Sequence, residues 1–121
     1  MKNQTYRMTM LYDFYGELLT DRQKEFFDLY YNEDLSLGEI AENSGISRQG
    51  VRDVIVRAET IMEDAEAKLG MIRQHQELEA NLADVEALLT EIAQLNGSRF
   101  KNGRLLELCN LIDAKLQLMK K

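Results

Sequence analysis

From Leu35 to Met62 the chain reads LSLGEIAENSGISRQGVRDVIVRAETIM, and few folds accommodate that order of residues. Ser36 is a good N-cap, and Glu39 three residues on completes a capping box, so a helix starts here. Ile40 and Ala41 give that helix its inward face. Asn43, Ser44 and Gly45 break the pattern, and Gly45 can take the positive φ that a tight turn needs. Ile46 plugs the space between two helices. Ser47 then caps a second helix, whose apolar positions Val51, Val54, Ile55, Ala58, Ile61 and Met62 recur at helical spacing. The order is short helix, glycine turn, long helix: a helix-turn-helix. Near the start of the second helix Arg48, Gln49, Arg52 and Asp53 are left facing outward, with Arg57 further along. A helix of this kind presents its N-terminal side chains to a nucleic-acid groove. Gln can read adenine, and Arg can read guanine or hold phosphate. The candidate contacts are Ser47, Arg48, Gln49, Arg52 and Arg57.

The rest of the chain extends the helical theme. It has no proline and seven glycines in 121 residues, which favours long uninterrupted helices and an all-α fold. Residues 6–18 carry Met8, Leu11, Phe14, Tyr15 and Leu18 on one stripe. Thr20, with Gln23 at the capping-box position, opens a helix to about Tyr31 that packs Phe26, Phe27, Leu29, Tyr30 and Tyr31. Residues 1–69 are therefore expected to form a helix-turn-helix bundle, its long second helix stopping at Gly70. Residues 70–121 are expected to form a helical hairpin. There Met71, His75, Leu78, Leu82, Val85, Leu89 and Ile92 alternate spacings of four and three, a heptad seam of about three repeats. Asn96-Gly97-Ser98 reads as a loop, and Gly103 to Lys120 as the last helix. A lone hairpin of this size buries little apolar surface. The seam is expected to join two copies into a homodimer, or else to fold back on the bundle.

Charge weighs against the first impression. The net charge is −6, whereas duplex-binding domains are usually basic, because phosphate neutralisation supplies much of their affinity. Residues 35–62 hold three basic and four acidic side chains. Glu39, Glu42, Asp53 and Glu59 are available as counter-charges, and a solvated helix face is the plainer reading of the arginines. The single Cys109 permits no intrachain disulfide. With no signal peptide and no apolar run long enough to span a bilayer, a cytoplasmic protein without membrane insertion is expected. No phosphate loop, nucleophile elbow or zinc-protease motif occurs, so neither an enzyme nor a cofactor is expected. His75 lacks the companions of a metal site. Tyr12, Tyr15, Tyr30 and Tyr31 could stack on bases, but their clustering with Phe14, Phe26 and Phe27 suits a core better.

The segment TDRQKEFFDLYYNEDLSLGEIAENSGISRQGVRDVIVRAETIM resembles the helix-turn-helix of region 4 in bacterial sigma-70-type factors. MTMLYDFYGELLTDRQ, LYYNEDLSLGEIAE, ISRQGV and AEAKLG together are similar to the YlxM family, small proteins of Gram-positive bacteria. That resemblance implies a sigma region 4-like bundle followed by further helices. It also implies a regulatory or accessory role in protein targeting by the signal recognition particle (SRP), with the SRP GTPase, its receptor or the SRP RNA as partners. The family defines no catalytic residues. An ordinary dimeric DNA-binding transcription regulator is the alternative, and a pure protein-interaction module a third reading.

Overall fold

A computed structural model describes residues 5–120. Among them are six α-helices and no strand: α1 Thr5–Tyr15, α2 Asp21–Tyr31, α3 Leu37–Ser44, α4 Arg48–Leu69, α5 Met71–Leu95 and α6 Gly103–Met119. A short 3-10 turn, Gly16–Leu18, follows α1, and a π-helical turn, Asn96–Phe100, follows α5. The chain divides into two compact units, Met1–Ile72 and Arg73–Lys121.

The first unit is built around α4, which packs against α1, α2 and α3. Val51, Ile55, Ala58 and Met62 are fully buried along one stripe of α4, the spacing of a helix that shows one face to a core. They meet Met8, Leu11 and Tyr15 from α1, Phe26 and Phe27 from α2, and Ile40 from α3. Aromatic rings fill the middle. Tyr12 stacks on Phe27 at 4.8 Å between centroids, and Tyr30 meets Tyr31 edge-on at 5.1 Å. Such pairs add to area burial alone. The expected stripe of α1 needs one correction. Its regular helix ends at Tyr15, the 3-10 turn tightens the chain, and Leu18 swings out to 57% exposure while Leu19 takes the buried place. Thr20 then caps α2 through a complete capping box with Gln23.

Long α4 ends where Gly70 turns left-handed at φ 61°. Two side chains satisfy the first free N–H groups of the next helix, as helix starts require. The Tyr15 hydroxyl donates to Glu66 Oε1 at 2.7 Å and accepts from the Met71 N–H at 3.1 Å. Glu66 Oε1 also accepts from the Ile72 N–H at 3.0 Å. Burial, and then the bond to Glu66, pushes the Tyr15 hydroxyl above its ordinary range. Ile72 is buried with the bundle core, so the first unit runs a little past the glycine.

The second unit is a helical hairpin. Leu82 and Leu89 from α5 are buried with Cys109 and Leu116 from α6. The expected loop at Asn96-Gly97-Ser98 is instead a π-helical turn. Buried Asn96 stabilises it. Its side-chain amide donates to the Asn102 carbonyl at 2.9 Å, and its Oδ1 accepts the Asn102 N–H at 2.8 Å. Asn102 caps α6 in turn, accepting from the N–H groups of Arg104 and Leu105. The expected seam is divided. Leu82 and Leu89 pack inside the hairpin, while Met71, Leu78, Val85 and Ile92 remain 43–50% exposed. The exposed His75 imidazole lies 3.0 Å from the Glu79 carboxylate, one helical turn on.

Arg7 donates from Nε and one terminal nitrogen to the two Glu63 carboxylate oxygens, both at 2.7 Å. This fork-to-fork pair ties α1 to α4 and holds the Glu63 carboxyl below its usual range. A lowered carboxyl pKa stabilises the fold above the ordinary carboxylate range and loses that contribution as pH falls. Both side chains are at least a third exposed, so solvent screening keeps the gain small. An NMR titration should give Glu63 a midpoint below the ordinary value, and Arg7→Met should move it above that value, because burial and the Glu66 charge then act unopposed. A wild-type midpoint at the ordinary value would contradict the pairing.

Candidate nucleic-acid interface

The helix-turn-helix is set by three local devices. Ser36 Oγ accepts the Glu39 N–H at 3.1 Å, and the Glu39 carboxylate accepts the Ser36 N–H at 3.1 Å. Gly45 closes α3 at φ 74° and donates its N–H to the Ala41 carbonyl at 3.0 Å. Ser47 Oγ accepts the Gly50 N–H at 3.0 Å and so starts α4. Gly50 has a steric reason inside the helix. A Cβ there would lie 3.2 Å from Ser47 Oγ and 3.4 Å from Ile46 Cδ1. The helix accepts a glycine cost of about 1 kcal/mol and in return the cap and the Ile46 plug sit close.

This start fixes what faces solvent. Ser47, Arg48, Gln49, Arg52, Asp53 and Arg57 are all exposed. The Gln49 amide donates to Asp53 Oδ1 at 2.8 Å, one helical turn away. Among the described residues, no carboxylate forms an ion pair with Arg48, Arg52 or Arg57. The nearby acids are committed elsewhere. Glu39 serves the capping box, Glu59 accepts the Tyr31 hydroxyl, Glu63 holds Arg7, and Asp53 holds Gln49. Of the expected counter-charges, Glu39 and Glu42 both line a shallow surface depression with Arg48, alongside Ser36, Gly38 and Ile46. The arginines thus lie near carboxylates without forming ion pairs with them.

Arg22 of α2 joins this region without having been marked by the sequence. It lines a depression between α2 and α4 together with Thr20, Asp53, Val54 and Arg57. Its guanidinium carbon sits 5.2 Å from the centre of the Phe26 ring, a cation–π contact that orients the fork. Among the described residues it too has no carboxylate partner. The spacing of Arg22 and Phe26 hints at that stacking, but its closeness to Arg57 depends on the packing of two helices. The four tyrosines considered for base stacking are packed in the bundle. Tyr15, Tyr30 and Tyr31 are buried, and half-buried Tyr12 is stacked on Phe27.

A family model described as "Putative helix-turn-helix protein, YlxM / p13 like" matches residues 2–98. The chain belongs to this family. Among curated relatives, a UPF0122 protein of Thermoanaerobacter sp. is 59% identical over 71 residues, covering 59% of this chain and 61% of that protein. A UPF0122 protein of Listeria innocua is 48% identical over 91 residues, covering 75% of this chain and 83% of the relative. One from Listeria welshimeri is 47% identical over the same length and coverage. The chain thus spans about three-fifths of the Thermoanaerobacter relative's length. The YlxM/p13-like match covers the whole helix-turn-helix and ends within the turn after α5, before α6 begins. The family is one of helix-turn-helix proteins, which suggests nucleic-acid binding.

Ser47→Ala removes the acceptor that starts α4. Urea denaturation of this variant should show a loss of about 1 kcal/mol with the m-value retained. No loss would mean that the cap does not set the helix start.

Proposed function

We propose that the protein binds nucleic acid through the start of α4, acting as a regulatory or accessory factor by association and not by catalysis. Arg48, Gln49 and Arg52 form the groove-facing set, with Ser47 at the helix start. Arg57 and Arg22 flank it as phosphate contacts. The observation that carries this reading is the set of exposed arginines left without carboxylate partners in a chain of net charge −6. Phosphates supply the missing counter-charge. The acidic remainder of the surface keeps non-specific affinity low, so binding relies on a small number of placed contacts.

The resemblance to the YlxM proteins supports the narrower form of the proposal, a role in SRP-dependent targeting. In that role the nucleic acid is the SRP RNA. The acidic surface suits a basic partner such as the RNA-binding region of the SRP GTPase, or its receptor, by charge complementarity. The site of action is then the cytoplasm. Among the described residues no helix is long and apolar enough to cross a membrane. A DNA-binding regulator is the second reading. Gln49 and Arg52 favour it as side chains able to read base edges. It requires two copies with their recognition helices roughly 34 Å apart.

Titrating the full chain separately with SRP-type hairpin RNA, random duplex DNA and purified targeting GTPase tests these readings. RNA or DNA binding should weaken with salt, and Arg52→Ala should weaken it further and lower the salt slope by about one. Absence of binding to either polymer at low salt would sink the proposal, and GTPase binding alone would favour a protein-interaction module.

A further inference from the structure

The hairpin of α5 and α6 has two unlike sides. Its internal contact line is narrow. Leu82 and Leu89 on α5, and Cys109 and Leu116 on α6, are the buried apolar residues. Each pair is seven residues apart, so each helix contributes a single row. On one side of that line Lys120 reaches across to the Glu86 carboxylate at 2.6 Å. The other side is apolar. In both helices the residue three positions after each buried one is apolar: Val85 and Ile92 on α5, Ile112 and Met119 on α6. The same rotational offset on two antiparallel helices falls on the same side of the pair. At one end of the hairpin Leu78 and Met119 line a common depression with Leu82 and Ala83, and His75, Glu79 and Lys120 complete its lining. Leu78, Val85, Leu88, Ile92, Ile112 and Met119 are 44–61% exposed.

We infer that this side is covered by the same side of a second copy, giving a four-helix bundle. A two-helix layer with one apolar face is stable when that face is buried against another layer. A second copy supplies a layer of matching length and apolar width, and a two-fold axis makes the contact self-complementary. Val85, Leu88 and Ile92 are apolar, and the charged groups beside the face, Glu79 and Lys120, lie at its Leu78 end. Six large apolar side chains, each about half exposed, form a substantial part of the roughly 800 Å² that each partner of a standard stable interface buries. The interface differs from an uninterrupted α5 seam. Leu82 and Leu89 hold the hairpin together, while Leu78, Val85 and Ile92 work with α6, a helix beyond the reach of the family match. The inference stands apart from nucleic-acid binding, which lies on the other unit.

Sedimentation of the full chain across a concentration series tests it. The wild type should be a dimer at tens of micromolar. Val85→Glu and, independently, Ile112→Gln should shift it to monomer with the helical circular dichroism signal retained. Glu86→Gln, on the opposite side, should leave the dimer intact. Should Val85→Glu unfold the hairpin, the milder Ile112→Gln and the wild-type series still decide the matter. A wild-type monomer at those concentrations would overturn the inference, as would a dimer indifferent to both face substitutions. Salt-dependent binding of RNA or DNA is measured separately, so either claim can fail alone.

Discussion

The buried stripe of α4 is the constraint on which the bundle depends. Val51, Ile55, Ala58 and Met62 have no exposed surface, and α1, α2 and α3 all pack against their helix. Fully burying a side chain such as Val, Ile or Met contributes about 1.5–3 kcal/mol. Rotating α4 about its axis to hide Arg48 and Arg52 would withdraw those residues from the core and bury charge in their place, which is far more costly. The Ser47 cap fixes where the helix begins, the apolar stripe fixes its rotation, and together they determine which side chains meet solvent.

The electrostatics follow from that placement. A net charge of −6 describes the whole chain, but the acids near the recognition helix are tied up in local structural tasks. One closes a cap, one accepts a tyrosine hydroxyl, one grips Arg7 and one holds Gln49. At physiological salt, charges beyond about 8 Å are strongly screened. A phosphate at the start of α4 would therefore feel Arg48, Arg52 and Arg57 together with the neighbouring Glu39, Glu42 and Asp53, and little of the charge on the rest of the chain. Nearby carboxylates of this kind are consistent with the modest affinity of the proposed contact.

Most of the bundle was legible in the sequence because its determinants are local. Ser36 with Glu39, Thr20 with Gln23, Ser47, Gly45 and Gly70 each act over four residues or fewer, and each appears in the fold as the sequence suggests. The less legible features depend on longer-range packing or an altered helical pitch. Leu18 and Leu19 exchange places because a 3-10 turn changes the pitch. The turn after α5 stays helical because Asn96 and Asn102 bond across it. A heptad seam read from one helix gives no sign that Leu82 and Leu89 alone of its seven residues will be used inside the hairpin. Arg22 comes beside Arg57 only when two separate helices dock.

The central claim is that α4 offers its first turns, and their unpaired arginines, to nucleic acid. Mapping backbone amide shifts of the full chain by NMR during titration with a short RNA hairpin tests it most directly. The account predicts that perturbations concentrate at residues 47–57, with a second group around Arg22, and diminish with added salt. Perturbations absent from those positions, or centred on α5 and α6, would contradict it.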